Sequence, residues 1–299
     1  MTATELITAP TARRVAPDAP RRRRRRGPER NPFVWLAVAA VIVFSLVPFY
    51  WLINTSLKTG SDLSRASLFP DNPSLSNYLN VLGDGDFLRS LLNSTIVATA
   101  STVLALIFAA FAAYALARLR MRGKFALLAI VLSITTFPGI AIAAPMFAIW
   151  NNIGLYNTLI GLVIPYLTFT LPLSIYTLVS FFKEIPAELE EAAYIDGATP
   201  FQTFYKVILP LAVPGIATVA ILAFIFAWNE FLLAATLTYS PDVRTVPVAI
   251  AFFTGASEYE QPLGMISAAS VIISIPLIVL VLIFQRRIVS GLTAGSVKG

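Results

Sequence analysis

Neither cysteine nor histidine occurs anywhere in the sequence. The first absence excludes a disulfide framework, a thiolate nucleophile and any cysteine-based metal site. The second removes the side chain that most often serves as general base and transition-metal ligand, which disfavours hydrolytic and metal-dependent active sites. Charge is scarce as well: 13% of residues are Asp, Glu, Lys or Arg, against roughly a quarter in an ordinary soluble domain. A phosphate-cradling G-x-x-x-x-G-K-[ST] loop is missing too, so the chain does not hold ATP in that way. What it has in quantity is apolar side chain, 57% of 299 residues, with a mean hydropathy of +0.76. This is the composition of a membrane protein.

A helix needs about 20 mostly apolar residues to cross a hydrocarbon core of roughly 30 Å. Six segments qualify, at about 33–54, 90–117, 125–149, 157–182, 210–237 and 264–284. None alternates with period two, so they read as helices and not as barrel strands. The expected fold class is all-α, a polytopic membrane protein with six transmembrane helices over 33–299, preceded by a disordered basic tail over 1–32. Eighteen of the 22 Lys and Arg fall in the two tails and in the second and fourth connections. The other four, Lys58, Arg65, Arg89 and Arg244, fall on the opposite side. By the positive-inside rule both termini are cytoplasmic.

The run Arg21–Arg26 fits that orientation as a tail held at anionic membrane lipid, with no need of nucleic acid. The apolar segment behind it is about 22 residues long without a small-residue cleavage site, so it is expected to remain as the first span. Two connections on the outer side are long. One, near 55–89, contains FPDNPSLSNYLNVLGDGD, whose turn residues surround a short helix. The other runs near 238–263.

One cytoplasmic connection interrupts this pattern with acid: EEAAYIDGATPFQTFYKVILP, Glu190–Pro210. Pro186 suits a first helical turn, Glu188, Glu190 and Glu191 favour its positive end, and Gly197 suits the stop. About ten residues at 1.5 Å each give a helix of roughly 15 Å, too short to span a bilayer. A second start follows at once. Thr199 caps, Pro200 takes the first position, and Phe201, Phe204, Tyr205 and Ile208 fall at i, i+3, i+4 and i+7 as an apolar stripe. Helices this short gain little stability alone, so a groove on a cytosolic partner is the expected support.

These residues resemble the EAA signature of ATP-binding-cassette (ABC) importer permeases. The signature is matched by Glu191-Ala192-Ala193, then Gly197, then Val207-Ile208-Leu209-Pro210, with valine where the pattern has isoleucine. FPGIAIAAPMFAIWNNIGLYNT, AWNEFLLAATL and GLTAGSVKG are similar to segments of the carbohydrate branch, in particular the maltose-system permease G type. The resemblance covers about 33–299. It implies a type I ABC importer fold in which Glu191, Ala192, Ala193, Gly197, Leu209 and Pro210 belong to a coupling helix. That helix would dock in a cleft of an ATPase, with Glu191 facing a basic group and Gly197 permitting the turn. The implied partners are a homologous permease subunit in a heterodimer, two ABC ATPase subunits that bind ATP and Mg, and an extracytoplasmic sugar-binding protein. No cofactor is implied on this chain, which would be a transport subunit and not an enzyme. The implied function is import of a disaccharide or oligosaccharide across the bacterial plasma (inner) membrane by alternating access.

Within the spans, Glu230 in AWNEFLL is the ionisable residue expected at membrane depth, where a carboxylate is costly and usually faces a bundle interior. With Trp228 and Asn229 it reads in two ways. Aromatic faces and amide or carboxylate groups suit a sugar pathway; alternatively the polar pair hydrogen-bonds within the bundle or lies near the outer interface. The family resemblance adds that only one of two paired permeases need touch substrate. Pro138, Pro145, Pro165, Pro172, Pro210, Pro214 and Pro276 are consistent with kinked helices around a cavity. The outer segment from Tyr239 to Pro262, with TGASEYEQP, reads either as the family element that probes a binding protein's ligand cleft or as a plain solvated connection. Two rival classes have less behind them. An ion-coupled secondary transporter needs intramembrane carboxylates, cation sites or inverted repeats, and one candidate carboxylate is present. A polytopic membrane enzyme needs a nucleophile with a base in reach, without His or Cys to supply either.

Overall fold

The computed structural model describes residues 32–253 and 262–294, with side chains to 284. The basic tail with its arginine run, the TGASEYEQ stretch, the side chains of Arg286 and Arg287, and Lys298 lie outside the described residues. Among the described residues there are helices and no strand. In chain order they are α1 (Pro32–Ser56), α2 (Ser76–Gly83), α3 (Gly85–Arg118), α4 (Lys124–Thr135), α5 (Gly139–Ile153), α6 (Leu159–Glu184), α7 (Glu188–Ile195), α8 (Pro200–Thr203), α9 (Leu209–Leu211), α10 (Val213–Trp228), α11 (Leu232–Leu237), α12 (Val246–Ala251) and α13 (Leu263–Ala294). The chain divides into two compact units at Pro48, inside α1.

Four helices, α1, α3, α6 and α13, are each long and apolar enough to cross a membrane. Two bent pairs bring the number to six when each pair is counted as one span. The expected third span is one of them: α4 and α5 meet at 86° across Thr136–Pro138. Pro138 has no N–H to give and pushes Phe137 out of the helical region, so a uniformly apolar stretch cannot continue as one rod. The fifth span also departs from its expected limits. Residues 200–211 and α10 meet at 74°, Pro210 and Pro214 flank the bend, and α10 stops at Trp228 instead of running to 237. By contrast Pro165, Pro172 and Pro276 sit inside helices that continue past them.

The frame of the bundle is α3 against α6, the most extensive helix pair. Along α3, Ala98, Ala105, Ala109 and Ala113 are fully buried at spacings of four and seven. In lipid there is no hydrophobic gain in joining two helices, and small residues instead let their backbones approach. Leu162, Val163 and Tyr166 of α6 pack at one end of this strip and Ile175, Leu178 and Phe182 at the other. Pro165 cannot donate to the carbonyl of Gly161 four residues back. That carbonyl is taken instead by the indole of Trp150 on α5, at 2.7 Å.

The first long connection, and the second as far as residue 253, are folded. In the first, α2 follows a short 3-10 turn at Gly60–Ser64. Lys58 is buried and donates its ammonium to the carbonyls of Arg65 and Ser67 at 3.0 and 2.9 Å, while Asn77 donates to Ser56 and Lys58 carbonyls, each at 2.9 Å. In the second, residues 239–253 are not a plain solvated connection. Asn93 of α3 donates to the carbonyls of Asp242 and Arg244 at 2.8 and 3.0 Å, Ser94 accepts from Val246 N–H at 2.8 Å, and Asn157 accepts from the N–H groups of Tyr239 and Ser240.

Candidate functional site

At the end of the bundle where Arg118, Lys183 and Lys206 gather, the connection between α6 and α10 forms a small knob. α7 is eight residues, Glu188–Ile195, a little shorter than the spacing predicts. It ends in a Schellman motif: Gly197 N–H donates to Tyr194 O at 3.1 Å and Ala198 N–H to Ala193 O at 2.9 Å. Gly197 has φ +83°, the left-handed conformation that a side chain disfavours. Thr199 then opens α8 with a capping box, accepting from Gln202 N–H while Gln202 Oε1 accepts from Thr199 N–H at 2.9 Å, and Pro200 takes the first position as expected.

The expected apolar stripe is divided. Phe204 and Ile208 turn into the core beside Ala109, Ala113 and Phe182, whereas Phe201 and Tyr205 face outward as a tilted pair with ring centres 5.4 Å apart. Residues Phe204–Ile208 form a π-helical turn, whose wider winding sets this division. With Tyr194 and Ile195, the latter 86% exposed, Phe201 and Tyr205 give a short polar segment an exposed apolar surface. Such a surface marks a contact site and not a self-sufficient fold.

The three glutamates of α7 do not serve alike. Glu191 and Ala192 are exposed and Ala193 is buried. The N–H of Glu191 donates to Ala187 O at 3.1 Å, while its carboxylate makes no hydrogen bond or ion pair among the described residues, which leaves it free for another chain. Glu190, expected to act as a helix-start charge, is instead buried. Its Oε1 lies 2.5 Å from Arg118 Nε at the end of α3, and Tyr114 donates its hydroxyl to Oε2 at 3.2 Å. Sequence reasoning counted Arg118 only toward orientation and missed Tyr114. The available signal was the helical spacing of Glu190 and Ala193, three apart on one face, with Tyr114 and Arg118 four apart on another. Leu209 is half-buried and Pro210 exposed at the re-entry to the bundle.

Trp228, Asn229 and Glu230 stand at the end of α10, each held by a local contact. Trp228 is buried with its ring stacked on Phe224, centres 5.5 Å apart. Asn229 donates back to the Ile225 carbonyl at 2.7 Å. Glu230 accepts from Leu233 N–H at 2.8 Å and Ala234 N–H at 3.1 Å, so both carboxylate oxygens cap α11. A carboxylate at a helix N-terminus satisfies N–H groups that have no partner in the helix, which matters most where water is scarce.

Comparison with known proteins matches residues 103–293 to the family described as binding-protein-dependent transport system inner membrane component. The trehalose transport system permease protein SugB of Mycobacterium tuberculosis is 49% identical over 271 residues, covering 90% of this chain and 99% of that protein. The trehalose/maltose transport system permease protein MalG of Thermococcus litoralis is 39% identical over 270 residues, 89% and 97% of the two chains. A chain of a crystal structure of a bacterial ABC transporter involved in import of the acidic polysaccharide alginate superposes with a TM-score of 0.69 at 26% identity, covering 87% of this chain and 98% of that one. A chain of the MetNI methionine ABC transporter shares the fold at a TM-score of 0.53 and 20% identity, over 72% and 97%. The chain belongs to the binding-protein-dependent transport system inner membrane components, as a multi-pass permease subunit of an ABC importer.

Proposed function

We propose that this chain carries a sugar, of disaccharide or oligosaccharide size, through the inner membrane by alternating access, driven by separate ATPase subunits docked on the α7–α8 knob. The observation that carries the coupling role is the knob itself: an uncommitted Glu191 beside exposed Tyr194, Ile195, Phe201 and Tyr205, on a turn fixed by Gly197. Similarity to permeases named for trehalose, trehalose/maltose and sulfoquinovosyl glycerol transport supports a glycoside as cargo. In this reading the complex holds a homologous permease as heterodimeric partner, two ATPases that bind ATP and Mg, and an extracytoplasmic sugar-binding protein. The chain itself holds no cofactor. Both termini and the knob face the cytoplasm, in keeping with the eighteen basic residues of that side. Glu191, Ala192, Ala193, Gly197, Leu209 and Pro210 form the coupling element, and Trp228, Asn229 and Glu230 shape the pathway by holding the end of α10. Glu230 does not favour an ion-coupled transporter, because both its oxygens accept backbone N–H groups.

ATP moves such a system only by binding better to one state than the other, and the ATPase must grip the knob to pass that difference on. Co-purification with the partner permease and ATPase tests this. Wild type is expected to retain the ATPase. Glu191→Ala and Gly197→Pro are expected to lose it, the second because proline fixes φ near −65° and removes the N–H given to Tyr194. Retention of a fully active ATPase by both variants would remove the knob from the mechanism.

A further inference from the structure

An eight-residue helix on a short tether passes on a push only if the joint is stiff. α6 ends at Glu184, and the carbonyl of Ile185, in the joint itself, accepts from Arg118 Nη2 at 2.5 Å. The same guanidinium sets its Nε 2.5 Å from Glu190 Oε1, with the two side chains only 15% and 10% exposed. One turn back on α3, Tyr114 reaches the other oxygen of Glu190. Arg118 therefore holds the joint and the acidic helix together, and both oxygens of Glu190 face the end of α3.

The geometry points to Arg118 and Glu190, with Tyr114, as positioning residues for energy transmission: they lock α7 to the end of α3, so that a displacement of the knob is a displacement of that span. The inference rests on the coupling role proposed above and adds which span receives the motion. A buried ion pair is a poor source of stability, because desolvation offsets its attraction, while loss of one partner strands a charge. The Nε–Oε1 contact is a close ion pair without hydrogen-bond alignment, so direction at this corner comes from the charge-assisted bond of Arg118 Nη2 to the Ile185 carbonyl and from the Tyr114 hydroxyl on Glu190 Oε2, which fix angle as well as distance. Apolar packing at the same corner, Phe204 against Tyr114 and Phe111 with ring centres at 4.9 and 5.2 Å, holds the second half of the knob without that directionality. Adjacent residues thus divide the work: Glu190 faces its own span and Glu191 faces the partner.

The absence of cysteine gives a clean background for a test. The complete complex is reconstituted in proteoliposomes, and ATPase retention, ATP hydrolysis and uptake of trehalose and maltose are measured together. Wild type that captures no ATPase, or takes up neither sugar, overturns the functional reading and this inference with it. Otherwise Arg118→Cys/Glu190→Cys is expected to keep the ATPase and its hydrolysis but to lose on the order of tenfold in uptake per ATP, within the range of about 5–150-fold for coupling between sites. Bridging the two thiols with a short bifunctional maleimide is expected to restore that ratio. A pair that only stabilises the fold predicts no such recovery, because the bridge returns the connection without the charges. The inference is overturned if the unbridged variant matches wild type in uptake per ATP, or if bridging is complete and the ratio stays low. Should the double variant fail to fold, Glu190→Gln, of nearly the same shape, must lower the ratio by itself, and an unchanged ratio overturns the inference.

Discussion

Gly197 is required by its torsion and not by its surroundings. A Cβ built there meets no atom within 4 Å, yet φ is +83°. The left-handed region costs an L-residue about 1–2 kcal/mol, with Asn the mildest exception. Gly197→Ala is therefore expected to loosen the knob by about 1–2 kcal/mol, and Gly197→Asn by less in spite of its greater bulk. Amide hydrogen exchange over 188–203 in detergent reads the difference, and a greater effect of Asn would mean that space is limiting. This glycine was legible in the sequence because a helix stop has a local signature. Glu190 was not. A rule about helix ends treats Glu188, Glu190 and Glu191 alike, and only the fold brings Arg118 and Tyr114 to one of them.

At the scale of elements, hydropathy identified the apolar segments and missed their breaks. The residues near 125–149 carry no charge, and a sliding window averages over Pro138, where the chain turns by 86°. Proline alone does not decide between a break and a continuous helix: α6 runs through Pro165 because another element takes up the freed carbonyl. That contact, Trp150 Nε1 to Gly161 O at 2.7 Å, joins α5 to α6 inside the core. Trp150→Phe keeps most of the apolar area and leaves the carbonyl without a donor, and it is expected to cost about 1–3 kcal/mol. The thermal unfolding temperature in detergent should fall accordingly, while Trp150→Tyr, whose hydroxyl lies at the far end of the ring axis and not where the indole N–H points, should fare no better. Equal stability of the Phe variant and wild type would show that the carbonyl is satisfied by other means, such as water reaching the bundle.

For the whole molecule, the fold class was legible in the sequence because it depends on composition over long stretches, the apolar runs of bilayer length. The folding of the two long connections was not, since Lys58, Asn77, Asn93 and Asn157 act through carbonyls and N–H groups that no motif announces. Orientation is the property on which the coupling reading depends most, and a cysteine-free chain allows it to be read directly. Single cysteines at the exposed positions Phe69 and Tyr239 are expected to react with a membrane-impermeant maleimide on intact cells. Those at Ile195 and Phe201 are expected to react only once the membrane is opened. The charge rule sums over every connection, so it predicts all four together. A reversed pattern would place the knob on the side without ATP, and no arrangement of Glu191, Gly197 or Arg118 could then couple it to hydrolysis.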